Sequence, residues 1–304
     1  MPLPVQGPPV AAEREQQPTL RRAGWQGSLA LCFERRASAT RLIRNRHEGP
    51  LRLLKALQSE DGRRVEAVIV HPPGGLVGGD NLAIDLRVEA GAEVLATTPG
   101  AQKWYGAENP ATSSTRLVVA DEAVLEWLPQ PAILYDRARA LQTLTIEMDR
   151  GARCTGWEVL VRGRGAMGEA FTSGHIDQRL SISVGETLLW QERLHALAAD
   201  RLFQSPLGWD RRRIAASVWC CAPASANQTL PALRDRWRAL IDCACAAPRS
   251  SVCGGATVAT DGLLMAKLLA DDLEHLTTLC RQLWRAARIS LGPDAGSTPR
   301  IWRT

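Results

Sequence analysis

From Trp25 to about residue 220, short segments with a two-residue hydrophobic period succeed one another, and no segment of helical period lies between them. Trp25, Gly27, Leu29, Leu31 and Phe33 fall on one face, because successive side chains of a strand point to opposite sides. The same reading covers residues 65–71, 82–88, 92–98, 115–120, 124–128, 141–148, 157–161, 179–184 and 214–219. Most are Leu-rich or β-branched, and Gly, Pro or Asp separates them. This succession argues against a helix-crossed parallel sheet, since each crossover there needs a helical segment between its strands. The first two thirds of the chain read as β.

The remainder changes period. Leu233, Trp237, Leu240 and Ile241 recur at helical spacing within 230–242. A second helix is expected over 262–289, where Leu264, Leu268, Leu269, Leu273, Leu276, Cys280, Leu283 and Ala287 recur every three or four residues. Asp261 would cap its start and Gly292-Pro293 would close it. Residues 1–23 are rich in Pro, Gln, Glu and Arg and poor in large apolar residues, which predicts a disordered arm. The expectation is a mainly β protein with a layered or helical sheet architecture. One β-rich domain would span 24–304, with a small pair of C-terminal helices and no internal repeat of fixed period.

The 304 residues are 45% hydrophobic and 23% charged, enough apolar mass for a sizeable core. The net charge of +5 is spread along the chain without a block of five like charges. Nucleic-acid binding is not expected, because neutralising phosphates takes a concentrated basic face. No run approaches the roughly 18 apolar residues that span a bilayer. The first residues have neither a basic nor an apolar leader region, so a cytoplasmic protein with reduced cysteines is expected.

Several motifs invite chemistry. Gly163-Arg-Gly165-Ala-Met-Gly168 has the glycine spacing of a dinucleotide loop, but a Rossmann site needs a helix next to hold the pyrophosphate. Gly174 and a period-2 segment come next instead, so a glycine-rich hairpin is the better account. The run His71-Pro-Pro-Gly74-Gly75-Leu-Val-Gly78-Gly79-Asp80 lacks the Gly-Lys-Ser/Thr ending of a phosphate loop. It reads as a shaped connection that presents His71 and Asp80. Cys220-Cys221, Cys243, Cys245 and Cys253 do not give paired zinc spacing, and the five histidines are scattered. No G-x-S-x-G elbow supplies a nucleophile. Glu126, Asp136, Glu158, Glu169 and Glu192 sit beside large apolar residues, which leaves their burial open.

Five stretches taken together resemble the urease accessory protein family UreD (UreH). They are residues 71–80 (HPPGGLVGGD), 97–105 (TTPGAQKWY), 125–140 (LEWLPQPAILYDRARA), 157–171 (WEVLVRGRGAMGEAF) and 299–304 (PRIWRT). The resemblance implies a non-enzymatic, β-rich accessory protein with a pair of helices. It implies cytoplasmic work with UreF and the GTPase UreG on apo-urease, with nickel in transit and no tightly bound cofactor. The family's internal nickel passage is lined partly by acids, and matching positions nominate Asp80, Glu158 and Glu192. This chain departs from the family at Gln102, where a small or hydroxyl residue is usual, and at Pro131, where a glutamate is usual. Two other classes stand beside this one: an NAD(P)-binding oxidoreductase using Gly163–Gly168, and a β-rich binding protein unrelated to urease.

Overall fold

The computed structural model describes residues 24–247, 250–292 and 298–303; the arm expected over 1–23 and Pro293 lie outside them. Two sheets face each other, and two helices cover the outer side of the second. The first sheet holds β1 (Gln26–Arg36), β2 (Ala39–Glu48), β6 (Asn81–Val88), β9 (Ala111–Val119), β12 (Arg139–Met148), β14 (His175–Val184) and β15 (Thr187–Leu197). Its order is β15-β14-β12-β9-β6-β1-β2. The second holds β3 (Arg52–Gln58), β4 (Arg64–Val70), β7 (Glu93–Thr97), β10 (Val124–Leu128), β13 (Arg153–Arg162), β16 (Ile214–Cys221), β17 (Cys253–Thr260) and β18 (Leu263–Ala270). Its order is β17-β18-β16-β13-β10-β7-β4-β3, and the short corner strands β5 (Gly75–Leu76), β8 (Gln102–Trp104) and β11 (Ala132–Leu134) join it at one side.

Between β6 and β14 the chain alternates sheets, so each parallel neighbour is reached through a strand of the opposite sheet instead of a helix. The result is a coil. Arg64, Glu93, Val124 and Arg153 lie side by side in the second sheet, 29, 31 and 29 residues apart. In the first sheet the step from Arg139 to His175 is 36 residues. The uneven step explains why no fixed sequence period is visible over a repetitive path.

Alternation along each strand supplies the core. Leu31, Leu86, Leu117, Ile146 and Ile182 stack as one inward row across the first sheet. Val65, Val94, Leu125 and Cys154 form a facing row in the second. The opposite face of the second sheet, with Trp157, Val159 and Val218, packs under α1 (Thr229–Ala246) and α2 (Leu273–Leu291). Strands buried on both faces carry near-continuous apolar runs, as β13 does. The Trp237 indole in α1 donates to the Leu283 carbonyl in α2 at 2.9 Å and ties the helices together. The closing segment returns Trp302 to the second sheet, where its indole donates to Thr97 and stacks near Trp157 and Trp284.

The mainly β architecture and the first helix agree with expectation. The helix expected over 262–289 is corrected: residues 263–270 form β18, and α2 starts at Leu273. Leu263 and Met265 enter the inter-sheet core while Leu264, Ala266 and Leu268 pack under the helices. An apolar run buried on both faces satisfies either period. Asp261 lies in the β17–β18 turn, and Gly262 there has φ +80°. The cap is Asp272, which accepts from the His275 amide at 2.8 Å. Gly292 ends the helix as expected, its amide donating to the Arg288 carbonyl.

Candidate functional site

Polar residues gather where two apolar rows would otherwise meet. Glu158 in β13 shares the inward face of Cys154 and Leu160 and is buried between the sheets. Across the gap the Gln142 amide of β12 donates to its carboxylate at 2.6 Å. Ladder pairing sets Glu158 beside Ser217 and Ser217 beside Lys267. Desolvation pushes the Glu158 carboxyl up to about 7, and the nearby Glu192 charge adds to that, against the amides of Gln142 and Gln178.

Glu158 stands between two cavities. The larger, about 430 Å³, runs from Glu158 and Gln142 past Ser113 and Trp127 to His71, Thr98 and Lys103. The smaller, about 310 Å³, joins Glu158 to Gln178, Glu192, Ser217 and Lys267. Among the described residues Glu158 alone lines both.

Glu192 is half-buried and well supplied with donors. Its carboxylate accepts from the Trp190 indole at 2.8 Å and the Ser217 hydroxyl at 3.0 Å, and it pairs with Lys267. Lys267 also donates to Ser217 at 2.7 Å, so one ammonium closes the acid side of the smaller cavity.

The glycine-rich run splits the roles of its two charged candidates. His71 lines the larger cavity, and both ring nitrogens are buried without a hydrogen-bond partner. Burial lowers its pKa, against the nearby Asp80 charge, so the ring stays neutral at pH 7. Asp80 lines neither cavity. Its two oxygens accept from the Trp25 and Val77 amides at 2.8 and 2.9 Å, tying the loop to the start of β1. Asp80 is therefore not brought together with Glu158 and Glu192, which do share a cavity. Gly74 and Gly79 have φ of +75° and +91°, and a Cβ at Gly75 would meet the Tyr105 ring at 2.4 Å. A Cβ at Gly78 would crowd Asn109. The run thus packs against the corner strands and holds His71 at the cavity.

The remaining acids are structural. Asp136 accepts from the Thr172 and Ser173 amides, and Glu169 pairs with Arg164. Glu126 is buried on the helix side of β10, where Trp284 donates to it at 2.7 Å and Arg288 at 2.9 Å. Gly163–Gly168 forms a loop with one 3-10 turn, and strand β14 comes after it, so the helix a dinucleotide would need does not form. Five of the eight cysteines are buried thiols; burial pushes Cys154 and Cys280 up to about 12. Of the positions departing from the family pattern, Gln102 lines the larger cavity, and its backbone N–H donates to the Pro131 carbonyl at 2.9 Å. No sequence motif singles out Gln142, Gln178, Ser217 or Lys267. Strand register and the facing of the two sheets together bring them to the two glutamates.

Among the described residues, no group of three or more His, Cys, Asp or Glu is arranged to hold a metal ion, and no helix is long and apolar enough to cross a membrane. Residues 26–303 match the family model for the UreD urease accessory protein. The chain is 39% identical to the urease accessory protein UreD of Pseudomonas fluorescens (strain Pf0-1) over 280 residues, covering 92% of this chain and 95% of that protein. With the same coverage it is 37% identical to the UreD of Pseudomonas aeruginosa (strain PAO1) and 36% to that of Pseudomonas savastanoi pv. phaseolicola.

Proposed function

The chain belongs to the UreD family of urease accessory proteins, and from that premise we propose that it matures urease by letting nickel pass between its two sheets. In this reading nickel is cargo, and the chain has no turnover of its own. It works in the cytoplasm in a complex with UreF and the GTPase UreG on apo-urease.

The observation that carries the reading is the position of Glu158 in the wall common to two interior cavities. A conduit must offer oxygen or nitrogen donors that bind an ion well enough to admit it and weakly enough to release it. The His71 imidazole, the Gln142 amide and the carboxylates of Glu158 and Glu192 are donors of that kind, spread along the path instead of gathered into one cage. The resting electrostatics resist a cation: Glu158, pushed up to about 7, keeps its proton about half the time at neutral pH, and Glu192 is neutralised by Lys267. An arriving dication displaces the proton from the first. The ammonium of Lys267, on a half-exposed flexible stem, swings from the second. Asp80 supports the path indirectly by fixing the loop that carries His71.

Deleting the gene in a urease-positive host tests the role: apo-urease should be synthesised and stay inactive. The path is tested by Glu158→Ala, measuring urease nickel per assembled complex. Assembly should persist while nickel content falls. Full nickel loading with the variant would remove the path through Glu158, and full activity in the deletion strain would remove the maturation role altogether.

A further inference from the structure

On the outer face of the first sheet, away from both cavities, two imidazoles point at each other. His175 Nε2 lies 3.3 Å from His195 Nδ1, and the rings meet edge to face with centroids 4.7 Å apart. Strand register produces this geometry. Asp177 is directly opposite His195 and His175 opposite Leu197 in the antiparallel β14–β15 pair, so the two histidines are diagonal neighbours on a rigid ladder.

Two nitrogens each about 2.1 Å from one ion sit roughly 3 to 3.5 Å apart when they occupy adjacent coordination positions. The separation here falls within that span. Asp177 lies 3.7 Å from His195 but is already held by Arg179 and Arg193, so its single charge offsets one of the two guanidiniums and leaves the metal positions to imidazole and water. Arg193 also approaches His195 Nδ1 at 3.3 Å, a contact an ion would displace. Both guanidiniums are about half exposed, and high-dielectric solvent weakens, without cancelling, their repulsion of an ion.

We propose that His175 and His195 form a two-imidazole surface site for a divalent transition-metal ion of the nickel–copper–zinc class. Two protein donors with water in the other positions make it a site of rapid exchange. It is independent of the interior path and does not rest on it.

The test is titration of chelator-treated full-length protein with Ni²⁺ by calorimetry, beside His175→Ala, His195→Ala and His195→Gln. The glutamine can still accept the hydrogen bond from His175 but replaces an imidazole donor with an amide oxygen. A Ni²⁺-binding event in the parent protein that weakens at least about tenfold in all three variants, with any interior binding and the melting temperature unchanged, is the expected result. No Ni²⁺ binding by the parent protein would overturn the proposal, as would binding by His195→Gln at parental affinity, because the imidazoles would then share a proton only.

Discussion

Replacing Glu158 by Gln should change how stability depends on pH, and the size of the effect comes from burial. A folded-state carboxyl that holds its proton up to about pH 7, against 4.5 for an ordinary glutamate, binds a proton that the unfolded chain releases. Between those values stability falls as pH rises, because the folded state must surrender the proton or hold a buried charge. About 2.5 pH units at about 1.4 kcal/mol each gives about 3 kcal/mol lost between pH 4.5 and pH 7. The neutral glutamine keeps shape and polarity without titrating. Urea unfolding of parent and Glu158→Gln from about pH 5 to about pH 8 should show the variant gaining relative stability as pH rises, by roughly 2 kcal/mol across that window. A stability difference that stays flat over the range would refute a proton-holding Glu158, and with it the cation-resisting rest state of the passage.

Other substitutions probe the scaffold and the loop. Arg288→Ala should cost about 3–5 kcal/mol in chemical unfolding, because it leaves the Glu126 carboxylate buried beneath α2 without its guanidinium. Gly156→Ala places a methyl group 2.6 Å from both the Trp127 carbonyl and the Trp219 ring, and should destabilise by about 1–3 kcal/mol with altered tryptophan fluorescence. Asp80→Ala unties two backbone amides and should cost about 2 kcal/mol. Urease nickel per assembled complex should fall less in that variant than in Glu158→Ala, and an equal or larger loss would instead assign the Asp80 carboxylate to the ion path.

The scaffold is legible where burial has one side. Leu29, Leu31 and Phe33 face one core, and their alternation announces β1 directly. β2 and β15 are not visible in the sequence, because an edge strand exposed to water needs no apolar alternation; residues 41–48 of β2 are mostly charged or polar. The 263–270 run reads as helix because burial on both faces erases the period that distinguishes strand from helix, and the Asp261-Gly262 turn is the local cue to a hairpin.

The candidate site divides in the same manner. Motif position nominates Asp80, Glu158 and Glu192 alike, and sequence alone does not tell a loop-tying carboxylate from a cavity acid. That distinction lies in the partners: Asp80 spends both oxygens on backbone amides, whereas Glu158 meets the amides of Gln142 and Gln178 across an inter-sheet gap. Residue types and their local period determined that this chain would form strands and close its turns with glycine, and five motif stretches carried its resemblance to a urease accessory family. Which of its acids share a cavity, and which cation faces them, was decided by strand register and by how the two sheets pack. Register sets Ser217 beside Lys267 within one sheet, and the packing of the two sheets brings Glu192 to that ammonium from 75 residues away, a distance that no local preference of either segment encodes.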